Sequence, residues 1–191
     1  VSSFYAIYNY GRNPGFKFNA NRIHSPGGSS GTANFFCYLI YGSSLTGTAA
    51  KPAVISNNAL YNINNGTSGY YGMYMLSADT INILHNTLDF GSLSHTSGTS
   101  ACYATYFSGS LNQVNFKNNI ISISSLGTGA KYGIYNATTT ALINSNNNAL
   151  VFSGAGGTSN FVAARSSTVT YATFSAWNAA TGMDSNSTTV N

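Results

Sequence analysis

Three aspartates, Asp79, Asp89 and Asp184, are the only acids in a chain of 191 residues that has no glutamate. Inverting hydrolysis of a polysaccharide needs a carboxylic acid and a carboxylate across one cleft. Asp79 stands just before a strand-like run, Asp89 just past the corner asparagine Asn86 and Asp184 beyond the last repeat, so no two recur at equivalent places. Three scattered acids are also too few for a calcium cluster. His24 and His85 lie beside asparagines and His95 in a Gly/Ser/Thr stretch. None has a Ser or Asp partner at a recognisable spacing. The His and Cys spacing offers no zinc site, no phosphate-binding loop is written in the chain, and no cofactor is implied. The sequence leans away from catalysis within this segment.

The chemistry that does recur is phenolic. Tyr5/Tyr8, Tyr38/Tyr41, Tyr71/Tyr74, Tyr103/Tyr106 and Tyr132/Tyr135 each form a Tyr-x-x-Tyr unit, and Phe161-Val162-Ala163-Ala164 is a degenerate last copy. Residues i and i+3 of a strand point to opposite faces, so one tyrosine of each unit is expected inside and one outside. The third residue (Ile7, Ile40, Met73, Thr105 or Ile134) is mostly a core type and shares its face with the first tyrosine. That predicts an outward ladder of Tyr8, Tyr41, Tyr74, Tyr106 and Tyr135 beside the small residues Ala6, Gly72, Ala104 and Gly133. Stacked aromatics stabilise a sheet on their own account. Flat exposed rings with small neighbours also suit sugar rings, which makes a polysaccharide or cell-surface glycan the candidate ligand. Ice binding would want an outward column of threonine, which only Thr105 and the threonines at 138–140 approach.

The elements that position these tyrosines follow from their spacing. The first tyrosines fall at 5, 38, 71, 103 and 132, a step near 30 residues, which is the signature of a stacked repeat. A second column runs through Asn21, Asn58, Asn86, Asn119 and Asn148, each followed two residues later by Ile23, Leu60, Leu88, Ile121 or Leu150. Before each asparagine lies an alternating run whose inward positions are Phe16/Phe18, Ala53/Ile55, Ile81/Ile83, Val114/Phe116 and Ile143/Ser145. Period-two alternation means a strand with one buried face. Each repeat thus holds a strand, an Asn corner, a second strand, a loop and the Tyr strand. That describes one coil of an all-β, right-handed parallel β-helix of about five coils. Asn tolerates a left-handed backbone at a tight corner, and its amide can bond along the column.

The coils span 16–47, 48–79, 80–112, 113–140 and 141–165, within one domain of 1–191, with residues 1–15 closing a truncated coil. Variable Gly/Ser/Thr loops precede the Tyr strands, at 26–31, 65–69, 92–100 and 124–129, so insertions fall on one edge. Residues 166–191 differ: the stretch 173–182 reads as a short helix with Phe174 and Trp177 on one face and Gly182 as its stop. Only 5% of the chain is charged, yet its 43% hydrophobic content is enough for a core. The net charge of +4 comes from bases spread through the repeats, which does not suit nucleic acid. No apolar window long enough to span a membrane occurs. Cys37 and Cys102 occupy equivalent strand positions two coils apart, roughly 9–10 Å, beyond disulfide reach. The chain opens without a signal peptide and neither end looks like a cap, so it reads as part of something longer.

The run Asn146-Asn147-Asn148-Ala149-Leu150, followed by Phe174-Ser175-Ala176-Trp177, Thr181-Gly182, Asp184 and Asn186-Ser187, resembles a recurrent ending of β-helix regions. Those regions belong to large bacterial proteins exported by the type IX secretion route. The resemblance implies an extracellular or cell-surface location, and secretion and anchoring machinery as partners of other parts of the chain. It implies no activity, because the same architecture serves adhesins, lyases and hydrolases. The Asp-Asp and Gly-His-Gly motifs of pectin hydrolases are missing. The expected function is therefore a structural, adhesive segment that binds glycan through the tyrosines; the alternative is a non-catalytic portion of a polysaccharide lyase or hydrolase. Asp79-Thr80-Ile81 also resembles the O-glycan acceptor of such bacteria, which makes Thr80 a glycosylation candidate. Asn65, Asn136 and Asn186, which fit Asn-x-Ser/Thr, are expected bare.

Overall fold

The computed structural model describes residues 2–25, 35–62, 69–91, 99–124, 126–138, 143–153, 155–166 and 168–190. In chain order the strands are β1 (Ser2–Tyr10), β2 (Lys17–Asn19), β3 (Arg22–His24), β4 (Phe35–Thr46), β5 (Ala53–Ser56), β6 (Ala59–Tyr61), β7 (Tyr70–Leu84) and β8 (Thr87–Phe90). They continue as β9 (Cys102–Lys117), β10 (Ile120–Ile123), β11 (Lys131–Asn136), β12 (Ile143–Asn146), β13 (Ala149–Phe152), β14 (Asn160–Arg165) and β15 (Val169–Tyr171). Helix α1 (Phe174–Thr181) and β16 (Thr188–Val190) complete the chain.

Each coil stacks in parallel on the next, and the predicted columns are the observed register. The Tyr strands pair in the order β1-β4-β7-β9-β11-β14, and the runs before the corners pair β2 with β5, β5 with β7 and β12 with β9. The third face runs β3-β6-β8-β10-β13-β16. Phe18, Ile55, Ile83, Phe116 and Ser145 stand one above another. Facing them across the core are Ile23, Leu60, Leu88, Ile121 and Leu150. Ile55, Ile83, Phe116, Leu60 and Leu88 are wholly buried, so the core is a continuous apolar rod along the axis. The fold is a parallel β-solenoid of about four turns.

The corner asparagines form one hydrogen-bonded column. Asn21 donates its backbone N–H and its Nδ2 to Asn58 Oδ1, both at 3.0 Å, and Asn58, Asn86 and Asn119 repeat the pattern to Asn86, Asn119 and Asn148. The remaining Nδ2 hydrogens go to carbonyls of the coil below: Asn58 to Phe18, Asn86 to Ile55, Asn119 to Ile83 and Asn148 to Phe116. A buried amide is thereby satisfied at every rung, as a polar group in an apolar rod must be. The expectation that these asparagines take the left-handed backbone is corrected. That conformation falls one residue earlier, at Ala20, Asn57, His85, Asn118 and Asn147. The tight corner needs one left-handed residue, and placing it before the ladder residue turns the amide inward.

Helix α1 starts where Thr173 accepts from the Ala176 N–H and ends at left-handed Gly182, as the sequence predicts. It delivers Trp177, 1% exposed, against the last coil. The Trp177 indole donates to Asp184 Oδ2 at 2.9 Å, while Asp184 Oδ1 accepts from Asn148 Nδ2 at 3.0 Å and Ser187 Oγ at 2.5 Å. The asparagine column thus ends on a buried carboxylate rather than on another amide.

Candidate functional site

Both tyrosines of every Tyr-x-x-Tyr unit stand on the same outer face, which corrects the expectation of one in and one out. The reason lies in the two residues between them. Leu39 and Ile40 are both buried, as are Ala104 and Thr105, so the strict alternation breaks at that point. Strand pairing passes over the second residue: Tyr38 pairs with Tyr71 and Ile40 with Met73, but Leu39 pairs with nothing. The small second residues consequently face the core. A Cβ at Gly72 would lie 2.5 Å from the Ala104 carbonyl oxygen and 2.8 Å from a Leu88 methyl. One at Gly133 would meet Leu150 at 2.6 Å.

The result is a double ladder. Tyr5, Tyr38, Tyr71, Tyr103 and Tyr132 stack with ring centroids 4.7–5.1 Å apart and end on Phe161. Tyr8, Tyr41, Tyr74, Tyr106 and Tyr135 stack beside them at 4.8–5.1 Å. Within each coil the two rings meet edge to face at 5.0–5.5 Å. Within each column the rings of successive coils cover one another's faces, and the two columns are inclined to each other by 75–89°. In the inner coils the ring faces are therefore taken up by stacking rather than left open. The columns are graded: Tyr8 is 55% exposed and Tyr135 only 7%. Burial, reinforced by the neighbouring phenols, pushes the Tyr38 hydroxyl up to about 12 and raises those of Tyr71 and Tyr103 further. These phenols stay protonated, so each keeps a hydrogen to donate.

Two polar features adjoin this face on the same strands. Downstream of the tyrosines, β4, β7 and β9 bend at left-handed Ser44, Ser77 and Gly109. The bend opens a pocket of about 370 Å³ lined by Arg12, Ser44, Ser77, Asp79, Ser110 and Asn112, among others. Asp79 Oδ1 accepts from Asn112 Nδ2 at 3.0 Å and from Thr80 Oγ1 at 2.9 Å. Beyond the bend, Asn82, Asn115 and Asn144 form a second, outward amide column. The sequence reading missed both, although Ser44/Ser77/Ser110, Thr46/Asp79/Asn112 and Asn82/Asn115 repeat every 33 residues, within one residue of the tyrosine step in the same coils. Applying the period to polar as well as aromatic residues would have found them.

The other chemistry-bearing residues are dispersed. Asp89 lies on the third face, Asp184 is buried beneath Trp177, and His24 and His85 are exposed beside corners. His95 and Asn65 fall outside the described residues, as do threonines 139 and 140 and most of the 26–31, 65–69 and 92–100 loops. Thr105 is buried and donates to the Gly133 carbonyl at 2.9 Å. Asn136, one of the glycosylation triplets, is 2% exposed, whereas Asn186 is exposed. Cys37 and Cys102 are free, buried thiols in one column with Tyr70, and burial raises both to about 12. Lys131 follows Cys102 in that column and is 1% exposed. Its ammonium donates to the carbonyls of Gly127, Gly129 and Gly156, so it ties two successive loops rather than facing a ligand. Among the described residues no group of His, Cys, Asp or Glu could hold a metal ion, and no helix is long and apolar enough to cross a membrane.

No protein-family model, curated protein or solved structure matches this chain. Fold and surface define its class: a parallel β-solenoid with an aromatic double ladder on one outer face.

Proposed function

We propose that the chain is a non-catalytic, adhesive segment of a secreted or cell-surface protein and binds polysaccharide along its tyrosine face. The observation that carries this reading is the double ladder itself, with one pair of phenols per coil at a spacing of about 5 Å. The sugar units of an extended glycan repeat on the same scale, so equivalent hydroxyls can meet successive phenols. Because the ring faces are taken up by stacking, recognition runs through phenol hydroxyls and ring edges. No charge pairing is needed, which suits a chain with so few charges. Each contact is weak, and useful affinity comes from several coils acting together.

The test is the triple variant Tyr41→Phe, Tyr74→Phe and Tyr106→Phe. It keeps every ring and every stack and removes only the hydroxyls. Retention on immobilised polysaccharide should be lost while the melting temperature stays close to that of the parent chain. Unchanged retention in this variant would refute the phenol contact.

The resemblance of the C-terminal stretch carries a further proposal, export by the type IX route with an O-linked glycan at Thr80. That hydroxyl is half-buried and bonded to Asp79, so modification requires it to let go of the carboxylate. Intact-mass measurement on natively purified protein decides this: an unmodified mass excludes the glycan.

A further inference from the structure

We infer that the pocket at the Ser44–Ser77 bend is a subsite for one uncharged sugar ring, so that the bound glycan crosses the coils from the tyrosines into the bend. This rests on the glycan reading of the tyrosine face and extends it to a second, chemically different contact. The geometry supplies what a pyranose requires. In the chain unmodified at Thr80, the two bonds to the Asp79 carboxylate, from Asn112 Nδ2 and Thr80 Oγ1, both fall on one oxygen, Oδ1. Oδ2 is left to accept from a sugar hydroxyl. Arg12, exposed at the rim, can donate to a neighbouring hydroxyl or ring oxygen. Ala78 and Leu111, 2% and 5% exposed, give the floor a small apolar patch for the ring's C–H face. The hydroxyls of Ser44, Ser77 and Ser110 complete a lining that both donates and accepts. A volume of about 370 Å³ lies in the size range of small-ligand pockets.

The same lining sets the ligand class. A uronate or a sulfated ring would bring a negative charge against Asp79, with only the solvent-exposed Arg12 to offset it, and exposed pairs contribute little. A neutral ring loses nothing there and gains a charge-assisted hydrogen bond. The direction of the glycan follows from connectivity. Tyr41, Tyr74 and Tyr106 lie on the same three strands as Ser44, Ser77 and Ser110, three to four residues upstream.

The experiment is native affinity electrophoresis of the 191-residue chain in gels containing galactomannan, xylan, hydroxyethyl cellulose or polygalacturonate. The variants are Asp79→Ala, Asp79→Asn and the triple Tyr→Phe chain. Asp79→Asn preserves the shape and the Oδ1 bonds while turning the free acceptor into a donor. At least one neutral polymer should retard the parent chain and polygalacturonate should not, and both Asp79 variants should weaken that retardation about tenfold in apparent Kd. Full retardation of both Asp79 variants, with loss in the Tyr→Phe chain, overturns the subsite and leaves the tyrosine reading standing. Loss in the Asp79 variants with none in the Tyr→Phe chain does the reverse. Preference for polygalacturonate overturns the assigned ligand class, and retardation by none of the four polymers overturns both readings.

Discussion

Ionising a ladder phenol is opposed by burial and by its neighbours at about 5 Å, and this makes stability depend on pH in a definite direction. A tyrosine whose hydroxyl is raised on folding binds its proton more tightly in the native chain than in the unfolded one. Its contribution is complete below the ordinary tyrosine value near 10 and is lost as pH rises toward about 12 for Tyr38. The melting temperature should therefore fall across that interval, and a melting temperature that stays level as pH rises from about 10 to about 12 would contradict the packing described. A second residue-scale outcome concerns Lys131. Replacing it by Met keeps the length but leaves two buried carbonyls and one half-buried one without their donor, at a cost of about 3 kcal/mol. A melting temperature within a degree or two of the parent would show that the loops have other partners.

At the scale of the element, the corner column is where loss should be greatest for the smallest change. Asn86 is wholly buried, and its Oδ1 accepts from both the backbone and the side chain of Asn58. Asn86→Ala should destabilise by roughly 3 kcal/mol, whereas Asn21→Ala at the exposed end should cost less than about 1 kcal/mol. Denaturant titration distinguishes a central rung from a terminal one. Ile83→Asp, which places a charge in the rod, should leave no soluble, cooperatively folded chain. These columns were legible in the sequence because a period of about 30 residues forces equivalent residues into register, and inward Ile, Leu and Asn are chemically distinctive. The orientation of the tyrosines was not legible. The i, i+3 rule assumes an unbroken pleat, and nothing in Tyr38-Leu39-Ile40-Tyr41 announces that Leu39 and Ile40 both turn inward. The same local break explains Gly72 and Gly133: they suit a crowded position facing Leu88 and Leu150, not an open sugar platform. The pocket's polar residues recur at the coil period and were legible as columns, but that they line a cavity follows from the left-handed bend at Ser44, Ser77 and Gly109, which spacing does not announce.

For the molecule as a whole, each coil touches mainly its neighbours, so stability is close to a sum over interfaces and loss begins at an end. Asp184 closes one end of the asparagine column by gathering the Trp177 indole, the Asn148 amide and the Ser187 hydroxyl. Asp184→Ala should strand those donors and open the last turn first. Hydrogen exchange should accelerate in β12, β13 and β14 while β5 to β10 stay protected. Uniform acceleration along the chain would instead mean that the whole solenoid opens as one unit.

The spacing of the corner asparagines has a consequence of its own. Successive rungs are 37, 28, 33 and 29 residues apart, yet every rung makes the same pair of bonds to the next. Contour length and axial distance are therefore decoupled: the molecule is a ruler graduated in turns rather than in residues. A loop can gain or lose close to ten residues without moving any downstream graduation, so insertion and deletion can remodel one margin of the protein while the tyrosine face keeps its pitch.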